Sequence, residues 1–234
     1  EISRKDVIVG WCPLYHDMGL IGTFLSAVYW RTPLVLMPPT AFLAKPKRWL
    51  RAMSDHRGTI SPAPNFGYAL AVSRVKPEDR EGLDLSCFRV ALNGAEPVTL
   101  QAVAEFTRAY APYGFDANAM FPVYGLAESS LAVTFPEPKR SVRALTVDRQ
   151  ALTNGRAEIV PEGAAGSIAI CCVGKAVPGH SVRVVDDTNT PVADYVVGHV
   201  ITAGPSVMQG YFGNAEATAA VLREGWLRTG DLGF

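Results

Sequence analysis

Three short stretches carry side chains suited to phosphate and nucleotide chemistry. In Pro122-Val-Tyr-Gly-Leu-Ala-Glu-Ser-Ser130 an acidic side chain, Glu128, follows an aromatic ring and a Tyr124-Gly125 pair that reads as a flexible turn. A carboxylate there can hold Mg2+, which takes one or two carboxylates and fills its other positions with phosphate oxygens and water. Equally, a Glu at a helix start is favoured by the helix dipole and needs no metal. The Tyr124 ring can cover a nucleotide base. Asn93-Gly-Ala-Glu-Pro97 can set backbone groups and an amide against a purine, or serve as a plain β–α turn. Thr229-Gly-Asp231 ends in a carboxylate that can accept hydrogen bonds from ribose hydroxyls, or in an ordinary turn Asp.

Two further stretches are open in the same way. Pro13-Leu-Tyr-His-Asp-Met-Gly-Leu20 sets His16 and Asp17 beside a glycine. Imidazole can donate to a carboxylate or phosphate while Gly19 lets the ligand approach closely. The plainer alternative is a helix capped by Asp17, with a half-buried His16. Pro64-Asn-Phe-Gly-Tyr68 mixes an amide, two aromatic rings and a glycine, which suits the wall of an apolar pocket or, just as well, a helix cap with core aromatics. The four histidines are scattered with no H-E-x-x-H spacing, and neither a G-x-S-x-G elbow nor a G-x-x-x-x-G-K-[ST] loop is present. Hydrolase and P-loop chemistry therefore lose support.

Such residues need a sheet to gather them. Apolar runs at 7–11, 34–37, 59–61 and 88–92 read as buried strands. Helical patterns lie between them at 19–30, 47–56 and 66–75, and Pro97 opens another. Strand–helix alternation predicts an α/β fold with a mostly parallel sheet covered by helices, which binds ligands outside the carboxyl ends of its strands. Asn93-Gly94-Ala95 and Tyr124-Gly125 both fall at such ends. Near Phe135-Pro-Glu-Pro138 the pattern changes to β-branched residues and turns, with strands expected at 141–147, 167–172, 181–185, 199–202 and 226–228. This predicts an α/β part over 1–138 and a smaller β-rich subdomain over 139–234. Residues 137–165, with Pro138, Gly155, Pro161 and Gly163, read as an inserted or loosely packed segment. Asn214 can cap a short helix through Leu222.

With 48% hydrophobic and 19% charged residues the chain is globular. Lys plus Arg equals Asp plus Glu, at 22 each, so no basic excess exists to neutralise nucleic acid. Four cysteines without a Cys-x-x-Cys pair predict reduced thiols and a cytoplasmic setting. The longest apolar run, 20–30, is too short for a transmembrane segment. Both ends break off as if cut from something longer.

Taken in order, Pro13-Leu-Tyr-His-Asp-Met-Gly-Leu-Ile-Gly22, Pro64-Asn-Phe-Gly-Tyr68, Leu92-Asn-Gly-Ala-Glu-Pro97 and Tyr124-Gly-Leu-Ala-Glu-Ser-Ser130 resemble the adenylate-forming superfamily, and within it the fatty acyl-AMP ligases of mycobacterial type. The resemblance implies a piece of the large N-terminal domain of such an enzyme. It implies ATP and Mg2+ as cofactors and a long-chain fatty acid as substrate. The acyl-adenylate would pass to an acyl carrier protein or polyketide synthase. Acyl-CoA synthesis, or a non-catalytic nucleotide-binding fragment, are the alternatives. By position, Glu128 would bind Mg2+. Tyr124 would stack on adenine, with Gly125, Leu126 and Ala127 behind it and Asn93, Gly94, Ala95 and Glu96 lining the base. Asp231 would hold the ribose. His16 would act with Glu128 in catalysis. Asp17, Met18 and Gly19 would lie near the reacting carboxylate, and Asn65, Phe66, Gly67 and Tyr68 would border the acyl tunnel. Residues 137–165 resemble an extra segment of these ligases that limits the domain swing needed for CoA thiolation. The family's phosphate loop and the domain bearing its catalytic lysine are not in the sequence, so these residues alone are expected not to turn over.

Overall fold

A computed structural model describes residues 2–234. Short apolar runs form β1 (Ile8–Gly10), β2 (Leu34–Leu36), β3 (Ile60–Pro64), β4 (Val90–Gly94) and β5 (Met120–Pro122). All pair in parallel, in the order β2-β1-β3-β4-β5. Successive side chains alternate faces. Thus Val9 joins a large core with Trp11, Trp49, Tyr68, Phe106 and Tyr110, while Ile8 joins a small one with Ala27 and Ile60. Both are fully buried, because helices lie against both faces.

The large core is supplied by α3 (Pro39–Ala44), α4 (Lys47–Asp55), α5 (Asn65–Arg74) and α6 (Leu100–Tyr110). Its polar atoms are paired: Trp49 Nε1 donates to Ser61 Oγ at 2.8 Å, and Tyr110 Oη donates to the Ala71 carbonyl at 2.6 Å. Helix α6 begins three residues later than Pro97 suggests, since Thr99 is its N-cap and accepts from Ala102 N–H. On the other face the expected 19–30 helix is interrupted. It runs as α1 (Asp17–Gly19), a π-helical stretch over Leu20–Leu25 and α2 (Ser26–Trp30). Thr23 and Ser26 hydroxyls reach carbonyls five residues back, Met18 at 3.0 Å and Ile21 at 2.7 Å. Ser26 N–H also donates to the Ile21 carbonyl, so hydroxyl and backbone share that acceptor. Among the described residues no helix is long and apolar enough to cross a membrane.

The remaining strands are antiparallel. β6 (Tyr124–Leu126), β7 (Leu131–Phe135) and β10 (Lys175–Ala176) form one small sheet. β11 (Ser181–Val185), β12 (Gly198–Ala203), β13 (Leu222–Arg223) and β14 (Trp226–Gly233) form another, with α8 (Ala215–Val221) beside it. Between them β8 (Ala144–Asp148) pairs with β9 (Ser167–Cys171), and α7 (Arg149–Thr153) follows β8. Residues 137–165 are therefore not loosely packed. Val147 and Ala157 are buried, Val142 packs on the large core, and Ala157 N–H donates to the Tyr195 carbonyl at 2.8 Å.

One ion pair, buried on its Asp6 side and open to solvent on its Arg89 side, fastens the entry to the sheet. Asp6, 3% exposed, takes both carboxylate oxygens to Arg89 at 2.8 Å and accepts from Ser3 N–H and Thr59 Oγ1. Burial opposes its charge, but the hydrogen bonds from Arg89, Ser3 and Thr59 and the guanidinium charge hold its pKa well below the usual carboxylate range. A depressed pKa adds stability above the unfolded value, about 3.9, which is lost as pH falls towards the folded one. Asp6→Asn is expected to cost about 2 kcal/mol at pH 7 in urea unfolding. The gap to the wild-type protein should narrow as pH falls below about 4.

Candidate functional site

Parallel strands deliver their carboxyl ends to one edge of the sheet. The loops after β1, β3, β4 and β5 carry His16, Asn65, Ala95 and Tyr124 respectively, so they open on the same rim. The strand order changes direction between β1 and β3, which is where such sheets leave a crevice.

At the β4 end Asn93 and Gly94 are buried, while Ala95 and Glu96 are exposed. Asn93 Nδ2 donates to Asn65 Oδ1 at 3.3 Å, and among the described residues its own buried Oδ1 has no partner. A buried amide oxygen without a donor is costly unless a ligand supplies one. Asn65 Oδ1 also accepts from Thr99 N–H, so Asn65 braces two strand-end loops. Glu96 turns its carboxylate to the start of α5, where Oε1 accepts from Phe66 N–H at 2.5 Å. Ala95 has φ +66°, a left-handed conformation that an alanine tolerates poorly.

β5 leads into Val123, whose N–H donates to the Asn93 carbonyl at 2.8 Å, and the chain passes on to Tyr124. Tyr124-Gly125-Leu126 is not a turn but strand β6. Gly125 is required there, since a Cβ would stand 1.6 Å from the Leu131 carbonyl oxygen. The hydroxyl of Tyr124 donates to Asp231 Oδ2 at 2.6 Å. Burial, and next the bond to Asp231, push the phenol pKa up. Thr229-Gly-Asp231 likewise belongs to β14 instead of following it, and the register of β14 on β12 carries Asp231 to this rim.

Ala127–Ser129 is a short 3-10 turn, and Ser130 and Leu131 leave it with φ +58° and +139°. The turn is tied to the loop before α8. Met208 N–H donates to the Glu128 carbonyl at 2.7 Å, Ser206 Oγ to the Ser129 carbonyl at 2.8 Å and Ser130 Oγ to the Ser206 carbonyl at 2.9 Å. His180 Nε2 lies 2.7 Å from Ser206 Oγ. Tyr211 Oη donates to Glu128 Oε1 at 2.8 Å. Ser206 and Tyr211 sit in no motif that the sequence singles out, and 83 positions separate Tyr211 from its partner.

His16, and not Asp17, is the N-cap of α1. Its Nδ1 lies 3.1 Å from Met18 N and 2.7 Å from Asp17 Oδ1, and Met18 N–H also donates to Asp17 Oδ1 at 2.6 Å. Met18 is buried, and a Cβ on Gly19 would stand 2.1 Å from the Pro13 carbonyl oxygen. Leu131 touches this helix, since a Cβ on Gly22 would meet its Cδ2 at 2.9 Å. Phe66 is exposed and packs its edge on Trp11, which stacks on Phe42 at 3.8 Å. Gly67 makes room for the Trp11 ring. Tyr68 departs from the expected tunnel wall. It is fully buried between Trp49 and Phe106, with its hydroxyl on the Leu92 carbonyl at 2.8 Å.

Residues 1–212 match the AMP-binding enzyme family. The chain belongs to that family. It is 37% identical to the medium-chain-fatty-acid–[acyl-carrier-protein] ligase TtuA of Teredinibacter turnerae, over 99% of this chain and 38% of the relative. It is 37% identical to the long-chain-fatty-acid–AMP ligase FadD26 of Mycobacterium bovis, over 97% of this chain and 41% of the relative. A solved fatty acyl-adenylate ligase of Legionella pneumophila, in complex with acyl adenylate and pyrophosphate, superposes with a TM-score of 0.95 at 35% identity, over 100% of this chain and 42% of that one. The chain thus spans about two fifths of the length of these relatives.

Because Ala95 is held left-handed, Ala95→Gly is expected to raise stability by about 0.5–1 kcal/mol, after the entropic cost of glycine is subtracted. A rise in the thermal midpoint checks this.

Proposed function

We propose that this chain carries the adenylate-binding rim of an enzyme that activates a fatty acid with ATP, releasing pyrophosphate and forming an acyl-adenylate for transfer to an acyl carrier protein or polyketide synthase. The observation that carries this is the Tyr124–Asp231 contact at 2.6 Å, which brings a ring and a ribose-type acceptor together beside Asn93 and Gly94. Likeness to a ligase solved with acyl adenylate and pyrophosphate supports the same chemistry.

In the proposed site the adenine lies between the Asn93–Ala95 backbone and the Tyr124 ring, with Gly125, Leu126 and Ala127 continuing that wall. The partnerless Asn93 Oδ1 suits an amino donor. Asp231 turns from the Tyr124 hydroxyl to the ribose hydroxyls. The fatty carboxylate enters at the β1/β3 crevice, beside His16 and the Asp17–Gly19 turn, with its chain along Asn65, Phe66 and Gly67. A carboxylate oxygen bonds to the α-phosphorus, and the bond from that phosphorus to the bridging oxygen breaks, leaving with its electron pair as pyrophosphate. Negative charge grows on phosphate oxygens, where the His16 ring would offer an N–H donor. Among the described residues no three ligand-type side chains converge on a metal position. A single carboxylate, Glu128, suits a Mg2+ that takes its other oxygens from ATP and water and screens the phosphate charge. Likeness to a relative named as a fatty-acid–[acyl-carrier-protein] ligase supports delivery to a carrier protein over CoA.

Calorimetry with a non-hydrolysable acyl-AMP analogue tests the site. Asp231→Asn should weaken binding about ten- to hundredfold, the worth of one or two charge-assisted hydrogen bonds. Unchanged affinity in a folded Asp231→Asn protein would refute the ribose assignment.

A further inference from the structure

Glu128 does not stand alone on its turn. One carboxylate oxygen accepts from Tyr211 Oη at 2.8 Å, and among the described residues the other, Oε2, accepts no hydrogen bond. Tyr211 is itself held from behind. Its N–H donates to Thr218 Oγ1 at 2.9 Å, and Thr218 Oγ1 donates to the Asn214 carbonyl at 2.7 Å. Gly210, at φ +151°, lets the chain pass Thr218, whose Cγ2 would stand 2.8 Å from a Cβ there. Asn214 caps α8 by accepting from Ala217 N–H at 3.0 Å. A relay of short polar contacts therefore runs from the start of α8 through the Tyr211 backbone to its hydroxyl and on to Glu128. The ring is more than a third exposed, so hydrophobic burial does not explain its placement. Its phenol pKa is raised, first by the hydrogen bond to Glu128.

We infer that Tyr211 is a positioning residue for Glu128: its hydroxyl fixes the carboxylate through one oxygen and leaves the other facing the cation that accompanies ATP. This rests on the assignment of Glu128 under the proposed function. A Glu side chain free to rotate spends its time among several rotamers, and the cation would have to select one. A neutral donor on Oε1 removes that choice without adding a competing positive charge. It also separates two duties of the 206–211 loop. Ser206 and Met208 hold the backbone of the 128–130 turn, and among the described residues Tyr211 alone hydrogen-bonds the acidic side chain.

The test uses Mn2+ as the probe, titrated by electron paramagnetic resonance into the whole chain with saturating ATP, alongside metal-free ATP binding and thermal melting. Tyr211→Phe, which keeps the ring and removes the hydroxyl, should weaken Mn2+ retention about fivefold, the worth of one hydrogen bond. Metal-free ATP affinity and melting should stay at wild-type values. Glu128→Gln should weaken Mn2+ further, and the double variant should be no worse than Glu128→Gln alone, since Tyr211 acts only through that carboxylate. Unchanged Mn2+ retention in Tyr211→Phe, with Glu128→Gln still impaired, would overturn the role of Tyr211 and leave the Glu128 assignment standing. Full retention in both variants would overturn both. Equal losses in metal-free ATP binding or melting would show Tyr211 to be merely structural and overturn the inference.

Discussion

The Tyr124 hydroxyl and the Asp231 carboxylate meet at 2.6 Å although 107 positions separate them. That contact closes the last antiparallel strand onto the end of the parallel sheet. Tyr124 can reach only because β5 hands the chain directly into β6, and Asp231 only because β14 carries its motif within the strand. Both depend on the direction of the parallel strands, which sends the loop after each strand to one rim. Reversing any one of β1, β3, β4 or β5 would carry its loop to the opposite edge.

The rim divides by chemistry. Towards β4 and β5 lie a partnerless amide oxygen, a ring and a carboxylate, which suit a nucleoside. Towards the β1/β3 crevice lie an imidazole, a close-packed glycine turn and the Phe66–Trp11–Phe42 stack, which suit an acid with an apolar tail. Between them the Glu128 turn is held by hydrogen bonds from the 206–211 loop, so the acidic side chain joins both halves of the chain. Tyr68 stands outside this division. Its size and full burial make it a pillar between α4 and α6.

Much of the parallel sheet is legible in the sequence because β1, β3 and β4 are mostly apolar and buried on both faces or nearly so. β5 is only three residues long and adjoins a Tyr-Gly pair, so local chemistry suggests a turn where tertiary pairing makes a strand. The same competition hides the far half of β14, whose Thr-Gly-Asp reads as the strand's end although the ladder to β12 runs past it. Apolar spacing cannot separate α from π winding, and the Thr23 and Ser26 side-chain bonds that accompany it are invisible without coordinates. The candidate site is legible where a motif concentrates it, at Asn93–Glu96, Tyr124–Glu128 and Asp231. It is illegible where single residues act at a distance. Tyr211 and Ser206 lie in a loop with no signal of their own, and Glu96 belongs to a motif yet spends its carboxylate on α5.

A crystal structure of the chain with a non-hydrolysable acyl-adenylate analogue tests the central claim most directly. Ribose hydroxyls should lie within hydrogen-bond distance of Asp231 and the base against Tyr124 and Asn93, with the Tyr124–Asp231 contact loosened to admit them. An analogue bound elsewhere, with that contact unchanged, would contradict it.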